Sequence, residues 1–155
     1  MGGRSRRIAW AEQEGLRVLV DSSAWVDFLN GYPSPERQAL ASLFQSDHEI
    51  CTCGVVVAEV FQGLRKDRTR AELSLMFREL TFLAAEGIDL YFQAATLYRS
   101  LRQRGETIRS TVDCVIVALA EEHGCSVLAR DRDMEVILDS GLLSVSRWPV
   151  EGLPS

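Results

Sequence analysis

Short apolar runs alternate along the chain with longer segments in which apolar residues recur at helical spacing. The short runs, bounded by turn residues, predict strands at 17–20, 50–53, 81–85, 126–129 and 142–146. The periodic segments predict helices at about 22–30, 36–46, 55–64, 70–80, 89–104, 111–123 and 131–139. Strands that alternate with helices predict an α/β fold with a mainly parallel central sheet flanked by helices.

Four acidic residues border or interrupt these apolar runs. Asp21 follows the first predicted strand, Asp131 follows the fourth, Glu59 lies within an apolar helix, and Asp113 opens the most apolar helix. A bare buried carboxylate costs several kcal/mol, so such a group must be paired, neutralised or bound to a metal. Arg17, at the far end of the first run from Asp21, and Arg130 are the only basic residues within these runs, so the pattern predicts that the four acids meet around a divalent cation.

Helix capping is the ordinary alternative for three of these acids. Asp21 and Asp131 each precede a helix and could be its N-cap, although Ser22 or Ser23 could cap the first of these helices instead. Asp113 completes a Ser110-x-x-Asp113 pattern that resembles a capping box. Glu59 has no such explanation, and a capping residue can also bind metal. We therefore favour a shared site whose oxygen-only ligands select Mg²⁺ or Mn²⁺.

The predicted topology supports a common location for part of this set. In open α/β sheets, ligands bind beyond the carboxyl ends of the strands. Asp21 and Asp131 both lie at that end of a strand, and the helices that carry Glu59 and Asp113 can flank the same crevice.

Composition limits the class of protein. The 155 residues are 46% hydrophobic and carry a net charge of -5, which argues against nucleic-acid binding through a global positive field but permits a local basic strip. We expect one domain at 16–150, a disordered tail at 1–15 and a short tail at 151–155. No run approaches the ~20 apolar residues of a membrane span. Four cysteines without a metal-binding spacing predict reduced thiols in a cytoplasmic protein.

The ordered set of motifs resembles PIN-domain ribonucleases, most closely the VapC-type toxins of bacterial toxin–antitoxin pairs. The resemblance covers about residues 17–148 and is carried by VDSSAW at 20–25, AEV at 58–60, STVDCVIVA at 110–118 and ARDRD at 129–133. Met134 stands where an aromatic residue is usual, and the 15 residues before the first strand are also unusual for the family.

This resemblance implies a three-layer PIN-like fold and a Mg²⁺- or Mn²⁺-dependent endoribonuclease. It also implies a homodimer and a cognate antitoxin that masks the site. Asp21, Glu59, Asp113 and Asp131 would be the catalytic acids. The first three would hold the metal, and Asp131, alone or together with the competing Asp133, would hold a second ion or a water. Ser23 and Thr111 would support the metal ligands. The RNA substrate comes from the resemblance, with transfer RNA ahead of ribosomal and messenger RNA as the expected target.

Basic and aromatic residues near these motifs suggest how RNA could be held. Arg109 and Arg130 are the favoured phosphate contacts because they are close in sequence to Asp113 and Asp131. For any single arginine, a solvated surface position is the commoner outcome. Trp25 could stack on a base, although a role in the core or a dimer interface is more frequent for such a residue.

Three other functions are compatible with part of the pattern. A phosphatase of the haloacid-dehalogenase type also has an Asp after its first strand, but it needs a second Asp two residues on, where this chain has Ser23. A phosphoacceptor signalling domain would pair its acids with a functional lysine, and Lys66 is the only lysine in the chain. A non-catalytic RNA- or protein-binding module on the same fold is the third alternative.

Overall fold

A computed structural model of the protein describes residues 15–150. Four strands are present in this range: β1 (Arg17–Val20), β2 (Glu49–Cys53), β3 (Thr81–Leu83) and β4 (Ser126–Leu128). They alternate with seven helices over the same residues: α1 (Ser22–Asn30), α2 (Pro35–Phe44), α3 (Gly54–Gln62), α4 (Asp67–Arg78), α5 (Asp89–Gln103), α6 (Thr111–Glu122) and α7 (Arg132–Asp139). The predicted α/β class and parallel sheet are confirmed.

The four strands form one parallel sheet in the order β3-β2-β1-β4. Parallel crossovers are right-handed, so β1 to β2 to β3 carries its helices on one face and the return to β4 carries α5 and α6 on the other. From β1 the chain proceeds to β2 and β3 on one side of β1, and it then returns to add β4 on the other side of β1. A crevice at the carboxyl ends of β1 and β4 is the expected ligand site of such a sheet.

Both helical layers bury apolar side chains against the strands. The strand residues Val18, Leu19 and Val20 are fully buried, and six of the twelve residues of α6 are buried as well. A strand covered on both faces reads as a continuous apolar run, which is why β1 and β4 lack alternation. Because β1 and β4 are packed on both faces, their carboxyl ends are held in fixed positions relative to each other.

Trp25 lies in the core of the layer that contains α1. Its side chain is fully buried, and its ring packs against Phe28, Phe44 and Phe77 with centroid distances of 6.1, 6.0 and 4.7 Å. The core role expected for this residue is confirmed. Stacking of Trp25 on an RNA base is excluded in this structure because no face of the ring reaches solvent.

The predicted strand at 142–146 is wrong. This segment has no strand in the structure, and the pairing occurs one residue later as an isolated parallel bridge between Arg147 and Val127. Two backbone hydrogen bonds make the bridge, from Val127 N to Ser146 O at 3.0 Å and from Trp148 N to Val127 O at 2.8 Å. The preceding residues form bends instead, and the Ser140 hydroxyl accepts a hydrogen bond from Leu142 N.

The remaining predictions concern features outside the sheet. Across residues 15–150, no helix is both long enough and apolar enough to cross a membrane. All four cysteines are buried and free. Except for Gly15, the predicted tails at 1–15 and 151–155 lie outside the described residues, so the division into one domain and two tails stays a prediction.

Candidate metal centre and active site

Asp21 lies where β1 ends, and two contacts fix its position. Its backbone N–H donates to Leu128 O of β4 at 2.8 Å, which ties the carboxyl ends of the two strands together. Its carboxylate caps α1 by accepting from Ser23 N at 3.3 Å, and it also accepts from the Ser23 hydroxyl at 2.7 Å. Asp21, rather than Ser22 or Ser23, is therefore the capping residue, and it is only 3% exposed.

Asp131 and Asp133 lie at the start of α7, just after β4. Asp131 is the N-cap, since its Oδ1 accepts from Asp133 N at 2.7 Å, and 31% of its side chain is exposed. Asp133 is 2% exposed, and its Oδ2 accepts from both the backbone N–H and the Nε of Arg109, at 3.1 and 3.0 Å. The two acids competing for the fourth position thus have different surroundings.

Asp113 lies in the first turn of α6, facing the start of α7. Ser110 caps this helix by accepting from Val112 N at 3.1 Å. Oxygen atoms of Asp113, Asp131 and Asp133 all lie within 4.8 Å of one another. Sequence positions separated by up to 20 residues therefore meet at two adjacent helix N-termini, where the partial positive charge of each helix favours carboxylates.

Glu59 approaches the same region from α3. Its Oε2 accepts a hydrogen bond from the Ser22 hydroxyl at 3.4 Å, while its Oε1 is buried and has no hydrogen-bond partner among the described residues. A buried carboxylate oxygen without a partner is costly and calls for a ligand. Neither Glu59 nor Asp21 belongs to the group of three oxygens within 4.8 Å, so those two acids border the group rather than complete it.

The electrostatics show that the charges of four neighbouring acids act on Asp113. Burial, followed by the charges of Asp21, Asp131, Asp133 and Glu59, raises the pKa of Asp113 to about 7. Burial also raises the pKa of Asp21, against the hydrogen bonds from Ser23 and Ser22, and the charge of Asp131 raises it further. Burial and the charges of Asp21 and Asp131 raise the pKa of Glu59. Clustered carboxylates that repel one another in this way are stabilised by a bound cation.

Asp133 is the exception within this group. Burial alone would raise the pKa of Asp133, but the backbone N–H and the guanidinium of Arg109 outweigh burial and hold that pKa below its ordinary value. Its charge is therefore satisfied by protein donors, whereas the charge of Asp113 has none among the described residues.

The donor set fits a hard divalent cation. All the candidate ligands are carboxylate oxygens, which Mg²⁺ and Mn²⁺ prefer, and the orphaned Oε1 of Glu59 provides a free acceptor. The raised pKa of Asp113 indicates negative charge that the protein itself leaves uncompensated.

The other predicted residues lie around this cluster in different roles. Arg109 is 74% exposed in its side chain and contacts Asp133, with Nη2 at 3.6 Å from Asp131. Arg130 donates from Nη1 to Asp27 at 2.9 Å and stacks on the Tyr32 ring at 4.5 Å. Its backbone N–H donates to the Ser23 hydroxyl at 2.9 Å. Thr111 is exposed at the first position of α6.

Sequence reasoning missed three residues near the site. Ser22 holds Glu59, while Asp27 and Tyr32 hold Arg130. Ser22 follows Asp21 directly, so its position was a usable signal. Nothing in the sequence connects Asp27 or Tyr32 with Arg130, because the two segments are about a hundred residues apart and meet only in the folded protein.

Comparisons with known proteins identify the family of the chain. The PIN domain family matches residues 18–137. Ribonuclease VapC11 of Mycobacterium tuberculosis is 33% identical over 121 residues, which are 77% of this chain and 90% of that relative. The chain belongs to the PIN-domain family and, within it, groups with the VapC ribonucleases.

Solved structures with lower identity share the fold. VapBC2 of Rickettsia felis, bound to a DNA fragment from its promoter, has a TM-score of 0.63 and 18% identity, covering 86% of this chain and all of that one (100%). VapC20 of M. tuberculosis, a toxin that cleaves the sarcin–ricin loop, has a TM-score of 0.55 and 20% identity, covering 83% and 98%. The predicted PIN-like architecture is confirmed.

Proposed function

We propose that the protein is a metal-dependent endoribonuclease that acts as the toxin of a toxin–antitoxin pair. The observation that carries the proposal is the group of three carboxylates within 4.8 Å, bordered by two further acids, in a chain that groups with VapC ribonucleases. The arrangement suits hydrolysis of a phosphodiester bond, since such enzymes use cations held by carboxylates to act on phosphoryl groups.

In this proposal Asp21, Glu59, Asp113 and Asp131 hold Mg²⁺ or Mn²⁺. A cation bound by these residues would make a water molecule nucleophilic at neutral pH and would offset the charge of the phosphoryl oxygens. Ser23 orients the Asp21 carboxylate through its 2.7 Å hydrogen bond, and Ser22 orients Glu59 through its 3.4 Å hydrogen bond. Such contacts hold ligands in place and are a regular part of metal sites. Thr111 stays a predicted supporting residue.

RNA binding is proposed for basic residues at the rim of the acidic group. Arg109 has a largely exposed side chain beside Asp131. Arg130 is also proposed, although its guanidinium already contacts Asp27 and Tyr32. Transfer RNA stays the predicted target. VapC20, which shares the fold, is a toxin that cleaves the sarcin–ricin loop, and we propose ribosomal RNA as the second substrate to test.

A cognate antitoxin and a second copy of the chain are the proposed protein partners. Solved relatives with the same fold are VapBC complexes. The side chains of Phe82, Ile88 and Phe92 are 61%, 68% and 62% exposed, and large exposed apolar side chains of this kind are typical of protein interfaces. A cytoplasmic location stays a prediction.

The decisive experiment is cleavage of total cellular RNA by the purified protein with Mg²⁺, Mn²⁺ or EDTA. We expect discrete fragments that require metal and disappear in Asp113→Asn. Asp139→Asn is the matched control, because Asp139 is an exposed acid on α7 that contacts Arg147 outside the group of three. Absence of cleavage by folded, antitoxin-free protein would contradict the proposal and favour a binding module. A covalent phosphoryl-aspartate intermediate would instead indicate a phosphatase.

A further inference from the structure

Arg109 lies directly before the helix that carries Asp113, and Asp133 holds it there. The Oδ2 of Asp133 accepts from both Arg109 N and Arg109 Nε, so one carboxylate oxygen fixes the backbone and the side chain of the same residue. The guanidinium then extends over Asp131, with Nη2 at 3.6 Å from Oδ1. Asp133 is buried, whereas 74% of the Arg109 side chain is exposed. A buried anchor thus holds an exposed cation at the edge of the acidic group.

We propose that Asp133 is a positioning residue rather than a metal ligand, and that it presents Arg109 to a phosphate of the RNA next to the scissile bond. This inference rests on the proposed function and assigns the substrate-binding part of that site. The Oδ2 of Asp133 already accepts two N–H groups, which use both of its lone pairs and leave Oδ1 as the one oxygen of this residue that a cation could still contact. The hydrogen bonds of Arg109 use its backbone N and Nε, and 74% of its side chain is exposed, so its Nη groups remain accessible as a planar fork of the kind that binds phosphate oxygens.

The buried Asp133 serves to immobilise the exposed side chain of Arg109 before RNA binds. A free arginine side chain loses rotamer freedom when it binds a phosphate, and that loss weakens binding. Arg109 is already held at its backbone and at Nε, so little further ordering is required when the RNA arrives. The pairing also places the Arg109 guanidinium 3.0 Å from the Asp133 carboxylate, which compensates the charge of that buried acid locally.

Two other arginines provide a contrast. Arg147 makes a similar pair of contacts, to Glu135 at 3.2 Å and Asp139 at 3.3 Å, but neither partner belongs to the group of three carboxylates. Arg147→Ala therefore removes the same charge and a comparable pair of ion contacts without altering the proposed site. Arg130 is less suitable as a control because it is itself a candidate for RNA binding.

The experiment measures RNA and metal binding separately. Binding of a fluorescein-labelled single-stranded RNA oligonucleotide is titrated at several NaCl concentrations in Ca²⁺, and Mn²⁺ binding is followed by calorimetry. The proteins compared are the wild type, Arg109→Ala, Arg109→Lys, Asp133→Asn, the double variant Arg109→Ala/Asp133→Asn, and the control Arg147→Ala. The double variant removes both charges together, so it remains informative if Arg109→Ala alone leaves Asp133 unpaired and fails to fold.

We expect Arg109→Ala to weaken RNA binding about tenfold, as loss of a charged hydrogen bond does. It should also reduce the slope of log affinity against log salt by roughly 0.7, the value of one contact to a single strand. Arg109→Lys should recover part of the affinity. Asp133→Asn should weaken RNA binding while retaining the Mn²⁺ affinity of the wild type. The double variant should bind RNA no more weakly than Arg109→Ala, because both changes remove one contact.

Two results would overturn the inference. Wild-type RNA affinity and salt slope in Arg109→Ala or in the double variant would show that Arg109 does not contact RNA. Loss of Mn²⁺ affinity in Asp133→Asn, comparable to the loss in Asp113→Asn, would show that Asp133 is a metal ligand. Failure of the proposed function has a different signature, since the wild type would then bind no Mn²⁺ and cleave no RNA.

Discussion

Replacement of Asp113 by asparagine should stabilise the metal-free protein while it abolishes activity. In the folded protein the pKa of Asp113 is raised from 3.8 to about 7 by burial and by four neighbouring acids. That difference corresponds to roughly 4 kcal/mol against the ionised form at pH 8, as an upper limit. The loss of a favourable contact between the Asp113 charge and the N-terminus of α6 offsets about 0.3–1 kcal/mol of this. The cost of repulsion and desolvation therefore exceeds the favourable interaction of the Asp113 charge with the helix N-terminus.

The expected gain at pH 8 in EDTA is about 1–3 kcal/mol, or very roughly 3–10 °C in Tm for a domain of this size. The sign of the pH dependence is fixed by the raised pKa. A group of this kind stabilises the fold below its unfolded pKa, and that contribution is lost as the pH rises through the folded value of about 7. The gap between Asp113→Asn and the wild type should therefore be largest at pH 8 and narrow towards pH 4.

Asp133→Asn is the matched control, and it should have the opposite sign. Because Arg109 holds the pKa of Asp133 below its ordinary value despite burial, ionised Asp133 stabilises the fold above the unfolded pKa. This variant should melt below the wild type at pH 8 and approach it as the pH falls. Thermal unfolding followed by circular dichroism across this range measures both variants. A lower Tm for Asp113→Asn at pH 8 in EDTA would refute the conclusion that uncompensated repulsion acts on Asp113.

Three further predictions follow from the same geometry. Asp21→Asn should abolish cleavage of total RNA with an unchanged circular dichroism spectrum, because the site loses a charge while the capping oxygen remains; normal cleavage would contradict the assignment of Asp21. Mn²⁺ at 100 times its Kd should increase the free energy of unfolding of the wild type by about 2.7 kcal/mol and so raise its Tm, and EDTA should reverse the increase. An equal shift in Asp113→Asn would show that the ion binds elsewhere. Trp25→Ala should reduce the free energy of unfolding by about 3–5 kcal/mol in urea titrations. The control Tyr91→Ala, at a residue 53% exposed, should change it little, and equal losses would contradict the core role of Trp25.

The sequence was most informative where burial left a strong local pattern. Short apolar runs located all four strands, most clearly β1 and β4, because strands covered on both faces are apolar over nearly their whole length. Apolar periodicity likewise located the helices, although α4 begins at Asp67 rather than near residue 70. The segment at 142–146 was misassigned because its apolar residues pack beside the sheet without forming a strand, leaving one bridge at Arg147.

For the candidate site, the sequence by itself determined which acids are unusual and which class of ligand they prefer, because a carboxylate in an apolar run demands compensation wherever the chain folds. It also placed Asp21 and Asp131 beyond the ends of their strands. Only the tertiary structure decided that Asp113, Asp131 and Asp133 share one cluster while Asp21 and Glu59 border it. Only the tertiary structure separated Asp133, paired with Arg109, from Asp113, which has no such donor within residues 15–150. The reason is physical: compensation of a charge depends on donors that approach from distant segments, and their distances exist only once the helices have packed.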